Sequence, residues 1–195
     1  SLHPMKNLSV PGDEGFLTTD QKKIYQRVLL LRDHGRYRKN NINREVFKSF
    51  GFNSRLDNIH AAVALIKLKR FKRWIILRRK IANKYHAALK SISEIKIPLF
   101  NNETDKFYDT YNSYVIRTKK KDTLKFFLLK NGIEVFSHIH TGIHREKYLK
   151  ERVGNWHLPK TDEVEKEIIS LPIYPELSKK KQDYVIKKIK EFFSQ

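Results

Sequence analysis

The stretch from Tyr114 to Phe136, YVIRTKKKDTLKFFLLKNGIEVF, decides the fold class of this chain of 195 residues. It opens on Tyr114-Val115-Ile116, a run of β-favouring side chains that predicts a short strand. Residues 121–131 predict a helix, which Asn131-Gly132 ends. The inward face of that helix is Leu124, Phe127 and Leu128. Ile133–Phe136 predicts the next strand, so the stretch predicts a βαβ-like unit and an α/β protein.

Two shorter helices are predicted towards the ends of the chain. The first begins at Asp20, which can serve as its N-cap, and ends at His34-Gly35, where glycine suits a C-cap. Residues 36–52 are polar and aromatic and predict a loop. Near the other end, Leu171–Pro175 predicts an extended segment, and Ser178 is placed to cap a final helix. The buried side of that helix is Val185, Ile189 and Phe192.

A long helix is predicted over residues 55–89. Ser54 and Asp57 have the spacing of a capping box just before an apolar run. An unbroken helix of this length would measure about 50 Å, so we expect a bend or break near Lys69–Lys72. Its cationic residues, which we call the basic stripe, are Lys67, Lys69, Arg70, Lys72, Arg73, Arg78, Arg79, Lys80 and Lys84. The stripe fits an ordinary solvated helix face or, alternatively, a phosphate-binding surface.

Charge and cysteine content limit the classes of function. The chain has 41 Lys and Arg against 21 Asp and Glu, a formal net charge of +20, which attracts phosphate groups on nucleic acid, membranes or small ligands. The absence of cysteine excludes disulfides, thiol catalysis and Cys-bound metals. No stretch approaches the roughly 18 apolar residues of a membrane span, and the first residues lack a signal-peptide pattern. We therefore expect a soluble, cytoplasmic protein.

Three histidines close together in the sequence raise the question of a metal site. His138, His140 and His144 form the pattern His-x-His-x3-His, which is not a structural zinc spacing. His138 and His140 would share one face of a strand, so a site is geometrically possible. Substrate-binding or structural roles are the interpretation we adopt, and we expect no metal.

Five segments follow, in the same order, the motifs of one protein family. They are Ser1–Leu8 with Gly12–Gly15 and Thr18–Asp20, Leu31–Arg36, Phe52–Ala62, Arg78–Tyr85, and Ser170–Leu177 with Gln182–Ile186. One such segment would be weak evidence, whereas five in order are specific. Through them the chain resembles the DegT/DnrJ/EryC1/StrS sugar aminotransferases, which have the type I fold of pyridoxal-phosphate (PLP) enzymes. The resemblance runs in register to the C-terminus.

The resemblance implies the architecture. Residues 1–70 would be the remainder of the PLP-binding large domain, and residues 71–195 the long connecting helix and a small C-terminal α/β domain. Complete members carry another half of the large domain before the lysine motif, and that half supplies the partners of the PLP ring. The chain opens inside the lysine motif, so we expect it to be the C-terminal portion of such an enzyme and inactive alone.

The resemblance also assigns residues of the cofactor site. Lys6 stands at the position of the lysine that holds PLP covalently, and its released amine would move a proton between substrate and cofactor. Ser1 stands where the family places a phosphate-binding hydroxyl. Asn53 matches an Asn that reaches the cofactor phosphate of the partner subunit, although on spacing alone it would be a capping residue.

Substrate-binding positions follow the family pattern less closely. His138 and His144 match the two histidines of a segment that lies near the sugar-nucleotide. Within that segment, Ile139 replaces a Tyr and Gly142 replaces a Pro. Glu14 replaces a usual Gly behind the lysine. The replacements at Ile139 and Gly142 bear on the substrate contacts and on the identity of the sugar, whereas Glu14 bears on the turn behind the lysine.

The activity that the resemblance implies is transamination. A dehydratase branch of the family has His in place of the lysine, so Lys6 favours an aminotransferase. The expected substrates are a nucleotide-linked keto-deoxysugar and an amino-acid donor such as glutamate, in the biosynthesis of cell-surface polysaccharide or secondary-metabolite sugars. A homodimer with shared active sites is expected. The alternatives are a basic protein that binds nucleic acid or an anionic surface, and a dead truncation that only dimerises.

Overall fold

The computed structural model describes residues 1–37, 46–99, 108–137 and 141–194 of the chain. These residues form two compact units, Ser1–Lys72 and Arg73–Gln195, called here the first and the second unit. One long helix, α2 (Asn58–Leu89), contributes residues to both. No helix in the described ranges combines the length and the apolar character that crossing a membrane requires.

The first unit contains one short helix and one small hairpin. Helix α1 (Lys22–Leu31) is followed by strands β1 (Arg36–Tyr37) and β2 (Val46–Phe47), which pair antiparallel. Gly35 makes the turn between α1 and β1 with φ +75°, and its N–H donates to the Leu30 carbonyl at 2.8 Å. A Cβ at this glycine would lie 1.7 Å from the Ser49 carbonyl oxygen. The turn therefore requires glycine both for its conformation and for space.

Three local predictions for the first unit are wrong. The Asp20 side chain does not cap α1, because the helix begins two residues later and its N-cap, Gln21, has no side-chain cap. The segment 36–52 is not all loop, since β1 and β2 lie within it. The capping box at Ser54 is misplaced: α2 begins at Asn58, and the Ser54 N–H instead donates to the Arg32 carbonyl at 2.9 Å.

Of the bend or break predicted in the long helix, the break is absent, since α2 is continuous through Lys69–Lys72. The second half of α2 is stabilised by packing against the rest of the second unit. Ile81, Ala82, Tyr85 and Leu89 are buried in the core of the second unit. The Tyr85 hydroxyl donates to the Pro172 carbonyl at 2.9 Å. Burial of one face over several turns explains how a helix of 32 residues persists in a small protein.

The second unit is built on a two-stranded antiparallel sheet. Strand β3 (Tyr114–Arg117) pairs with β4 (Ile168–Leu171), with Tyr114 opposite Leu171. The helices of the unit besides α2 are α3 (Lys121–Lys130), α4 (Lys147–Val153), α5 (Pro159–Glu165) and α6 (Lys179–Phe193), with a 3-10 turn at Ile143–Arg145. Ser178 caps α6 as predicted, accepting from the Lys181 N–H at 3.3 Å.

The βαβ-like unit is wrong in its second strand. The strand over 114–116 and the helix after it are confirmed. Among the residues that the structure describes, Ile133–Phe136 forms no strand, and its one bridge joins Phe136 to Ser170. Ile133 and Val135 are nevertheless buried, which explains the apolar pattern. The place beside β3 is taken by β4, which comes from far along the chain and runs antiparallel.

Candidate active site

A closed loop carries Lys6 in the first unit. The Leu2 N–H donates to the Glu14 carbonyl at 2.7 Å, and the Val10 N–H donates to the Leu2 carbonyl at 2.7 Å. Leu2 and Val10 are each only 2% exposed. The loop therefore closes on two buried apolar side chains and carries residues 3–9 as its outer turn.

Lys6 lies in that outer turn with its side chain exposed. Its backbone is fixed on both sides: its N–H donates to the His3 carbonyl at 2.9 Å, and its carbonyl accepts from the Ser9 N–H at 3.1 Å. Within the described ranges no hydrogen bond or ion pair engages its ammonium group. The loop thus has a defined backbone and leaves the Lys6 amine accessible to a carbonyl compound.

Two side-chain contacts hold the Lys6 loop on α2. The His60 Nδ1 and the Glu14 Oε1 lie 2.9 Å apart, and both side chains are largely buried. The Lys67 ammonium donates to the Ser9 carbonyl at 2.5 Å and to the Ser9 hydroxyl at 2.9 Å. Sequence reasoning missed both contacts. The only signals were the departure at Glu14 and the presence of Lys67 in the basic stripe.

The two predicted phosphate contacts lie in different parts of the first unit. The Ser1 hydroxyl is exposed and accepts from the His3 N–H at 3.3 Å. Asn53 is exposed and forms an isolated bridge with Asp33. It precedes α2 by five residues, so it is not the capping residue that its spacing alone predicts.

A cavity of about 390 Å³ lies near this bridge and has cationic walls. Arg32 and Arg55 line it together with Asp33, Leu56 and Asn58. The Arg55 guanidinium lies 4.0 Å from the Asp33 carboxylate, which also pairs with Arg36 at 2.9 Å. Guanidinium groups with an amide beside them suit a phosphate.

The Glu14–His60 contact belongs to a larger polar cluster. Donor atoms of Glu14, Asp57 and His60 all lie within 4.8 Å of one another. The three residues offer two carboxylates and one imidazole, a set that divalent metals accept. No local sequence pattern indicates this cluster, because Glu14 lies 46 residues from His60.

The predicted substrate residue His144 is held in an ion-pair network of the second unit. Its Nε2 lies 2.9 Å from an Asp162 carboxylate oxygen, which also accepts from Arg145 at 2.7 Å. Partial burial alone would raise the pKa of Asp162, but the hydrogen bond and charge of Arg145, with those of His144, hold that pKa below its ordinary value. His138 and His140 lie outside the described residues.

The basic stripe is not uniformly solvated. Besides Lys67, three of its members bind their own chain. The Arg78 guanidinium donates to the Tyr111 and Ile173 carbonyls at 3.1 and 3.0 Å, and burial lowers the pKa of Arg78. Arg79 is 6% exposed and donates to the Asp109 carbonyl at 2.7 Å, and Lys84 pairs with Asp183. The exposed members are Lys69, Arg70, Lys72, Arg73 and Lys80.

Comparison with known proteins gives one consistent result. The sequence pattern of the DegT/DnrJ/EryC1/StrS aminotransferase family matches residues 1–190. A pleiotropic regulatory protein of Geobacillus stearothermophilus is 31% identical over 195 residues, covering 99% of this chain and 50% of its own length. The dTDP-3-amino-3,4,6-trideoxy-alpha-D-glucose transaminase of Streptomyces venezuelae is 29% identical, covering 98% and 49%.

The fold agrees with solved structures. The crystal structure of DesV from S. venezuelae superposes with a TM-score of 0.89 at 27% identity, over all of this chain and 50% of that one. The chain thus spans about half the length of the curated relatives and solved structures that it matches.

Proposed function

Because the chain belongs to the DegT/DnrJ/EryC1/StrS aminotransferase family, whose enzymes depend on PLP, we propose that it is the part of a sugar aminotransferase that supplies the cofactor lysine. The observation that carries this proposal is Lys6, which lies in a backbone-fixed loop with its side chain exposed. The substrate would be a nucleotide-linked keto-deoxysugar, and the amino donor glutamate or a similar amino acid.

The residues present fit the cofactor. Lys6 would hold PLP covalently, the Ser1 hydroxyl would donate to its phosphate, and Asn53 would reach the phosphate bound by a partner subunit. When bound, PLP supplies an electron sink for the bond changes at the amino carbon. Once released, the Lys6 amine would accept the proton from the substrate carbon and return it.

The assembly follows from this division of roles. A lysine from one subunit and an Asn from the other imply a homodimer with shared active sites. Residues 1–70 would belong to the large domain, and residues 71–195 would provide the connecting helix and the small domain. The half of the relatives' sequence that this chain does not match would supply the rest of the site. The product would enter biosynthesis of cell-surface polysaccharide or of a secondary-metabolite sugar.

Binding of nucleic acid by the basic stripe is the competing function, and the geometry gives it less support. Lys67, Arg78, Arg79 and Lys84 each contact their own chain, which leaves five exposed cations. A phosphate-binding stripe would show tight duplex binding whose log K falls steeply with log salt.

The proposed function is tested by substituting Lys6 in the full-length enzyme, which carries both this chain and the other half found in its relatives. Lys6→Ala should abolish transamination with unchanged circular dichroism and thermal stability, because the Lys6 side chain is exposed. Lys23→Ala, at an exposed lysine of α1, is the matched control and should retain activity. Turnover by Lys6→Ala would remove Lys6 from the mechanism.

The chain alone supplies a second arm of the test. PLP titration followed by borohydride reduction and peptide mapping should show weak modification spread over several lysines, because the partners of the PLP ring come from elsewhere. Stoichiometric modification confined to Lys6 would contradict the view that the site needs the other half.

A further inference from the structure

The two contacts between the Lys6 loop and α2 lie on one face of the helix. His60 and Lys67 are seven residues apart, which is two helical turns and about 10.5 Å along the axis. His60 contacts Glu14 beyond one end of the outer turn, and Lys67 contacts Ser9 within it. The loop is thus attached to α2 at two points, which lie on either side of the backbone hydrogen bonds that close the loop.

The Lys67 contact reaches Lys6 through a single residue. Ser9 accepts from the Lys67 ammonium with both its carbonyl and its hydroxyl. The N–H of the same serine donates to the Lys6 carbonyl. A charged donor forms stronger hydrogen bonds than a neutral one, and Lys67 is partly buried. Loss of Lys67 would therefore release Ser9 and, with it, the backbone of Lys6.

The His60 contact acts on the loop closure. The Glu14 carbonyl accepts from the Leu2 N–H, and the Leu2 carbonyl accepts from the Val10 N–H. The Glu14 side chain, held by His60, therefore fixes the residue that closes the loop. A Cβ on Gly12 would come within 2.9 Å of the His60 ring, so the loop packs directly against that imidazole.

We propose that Lys67 and His60 are positioning residues for Lys6, holding the loop on α2 so that the amine keeps one orientation. The proposal rests on the function proposed above for Lys6. Neither residue needs to touch the cofactor or the substrate. Their effect is to reduce the number of orientations that the reacting amine samples, which favours the productive geometry.

The first experiment measures amide hydrogen exchange by NMR on the full-length enzyme, which also carries the half present in the relatives, in EDTA and without PLP. Lys67→Met keeps the length of the side chain but removes its donors, and it should speed exchange of the Ser9 and Val10 amides by roughly 10- to 100-fold. Lys67→Arg should restore most of the protection. Lys69→Met, an exposed neighbour on α2, should change nothing.

The Arg117 amide, bonded to the Lys96 carbonyl at 2.9 Å in the second unit, is the internal reference. Equal acceleration of Arg117 and Ser9 in Lys67→Met would overturn the proposal, because it would mark general destabilisation. If Lys67→Met fails to fold, Ser9→Ala removes only the hydroxyl contact and should speed Ser9 exchange several-fold. Unchanged Ser9 exchange in both variants would refute the proposal that Lys67 holds Ser9 in place.

Two further measurements complete the test. In the full-length enzyme, Lys67→Met should lower kcat about 10-fold with an unchanged KM for the amino donor, whereas a lowered affinity with unchanged kcat would refute positioning.

For His60, protection of the Leu2 amide from exchange should not depend on metal and should fall in Glu14→Gln. Protection that appears only with added Zn²⁺ would overturn the His60 anchor in favour of a metal site at Glu14, Asp57 and His60. Because exchange needs no PLP, the loop result stands or falls independently of the proposed activity.

Discussion

Asn53 offers the sharpest test of a shared active site, because the structure separates its two candidate roles. Its side chain is exposed, and its backbone is fixed by the bridge to Asp33. The neighbouring Phe52 and Ser54 N–H groups donate to the Leu31 and Arg32 carbonyls at 2.6 and 2.9 Å. Since α2 begins only at Asn58, Asn53→Ala removes no helix cap, and its free energy of unfolding should change by less than about 0.5 kcal/mol.

The expected loss in cofactor binding is much larger. A hydrogen bond to a charged phosphate contributes roughly 1.5–3 kcal/mol, so full-length Asn53→Ala should bind PLP about 10- to 150-fold more weakly. Ser54→Ala, at the adjacent exposed residue, is the matched control and should bind normally. PLP affinity is measured by absorbance titration, and stability by urea unfolding of the same samples.

Mixing two variants tests which subunit supplies the Asn. When full-length Lys6→Ala and Asn53→Ala exchange subunits, one site of the mixed dimer has both defects, and the other has both residues intact. Activity should exceed that of either variant alone, with normal PLP affinity at the restored sites. If Asn53 acts within its own subunit, the site with Lys6 keeps the Asn53 defect. Verified subunit exchange without recovery would therefore refute the shared site.

Two further predictions concern the second unit. Arg79→Ala should destabilise it by roughly 2–5 kcal/mol in urea unfolding, since it removes a charged hydrogen bond to the Asp109 carbonyl and the stacking of the guanidinium 4.0 Å from the Tyr108 ring. Lys80→Ala, at an exposed residue, should change the free energy of unfolding by less than about 0.5 kcal/mol. Equal losses of stability in the two variants would contradict the structural role of Arg79 and favour a basic stripe that is solvated throughout. The folded-state pKa of Asp162 lies below its ordinary value, so the stability that its ionised carboxylate contributes is present at neutral pH and is lost as pH falls through that lowered pKa. Asp162→Asn should thus be less stable than wild type at pH 7 and should approach it in acid, whereas a constant difference across pH would contradict the ion pair.

Predictions from one short segment succeeded where the contacts that decide the structure lie within that segment. Ser178 caps α6 because its hydroxyl reaches an N–H three residues away. Leu124 and Leu128 are buried on one face of α3, as their spacing predicts. Helix starts were less predictable: Asp20 and Ser54 have capping side chains, but the chain around Ser54 is held by a backbone bond to Arg32 instead.

The sequence by itself determined the family, through motifs whose order survives in the linear chain, and the resemblance carried by those motifs points to Lys6 as the lysine that would hold the cofactor. Only the tertiary structure decided what surrounds that lysine. The Glu14–His60 and Ser9–Lys67 contacts join residues 46 and 58 positions apart, and the Arg78 bond to Ile173 spans 95. The pairing of β3 with β4 is likewise non-local. Periodicity and capping patterns report interactions within a few residues, whereas these contacts depend on which distant segments the folded chain brings together, and no local pattern encodes that choice.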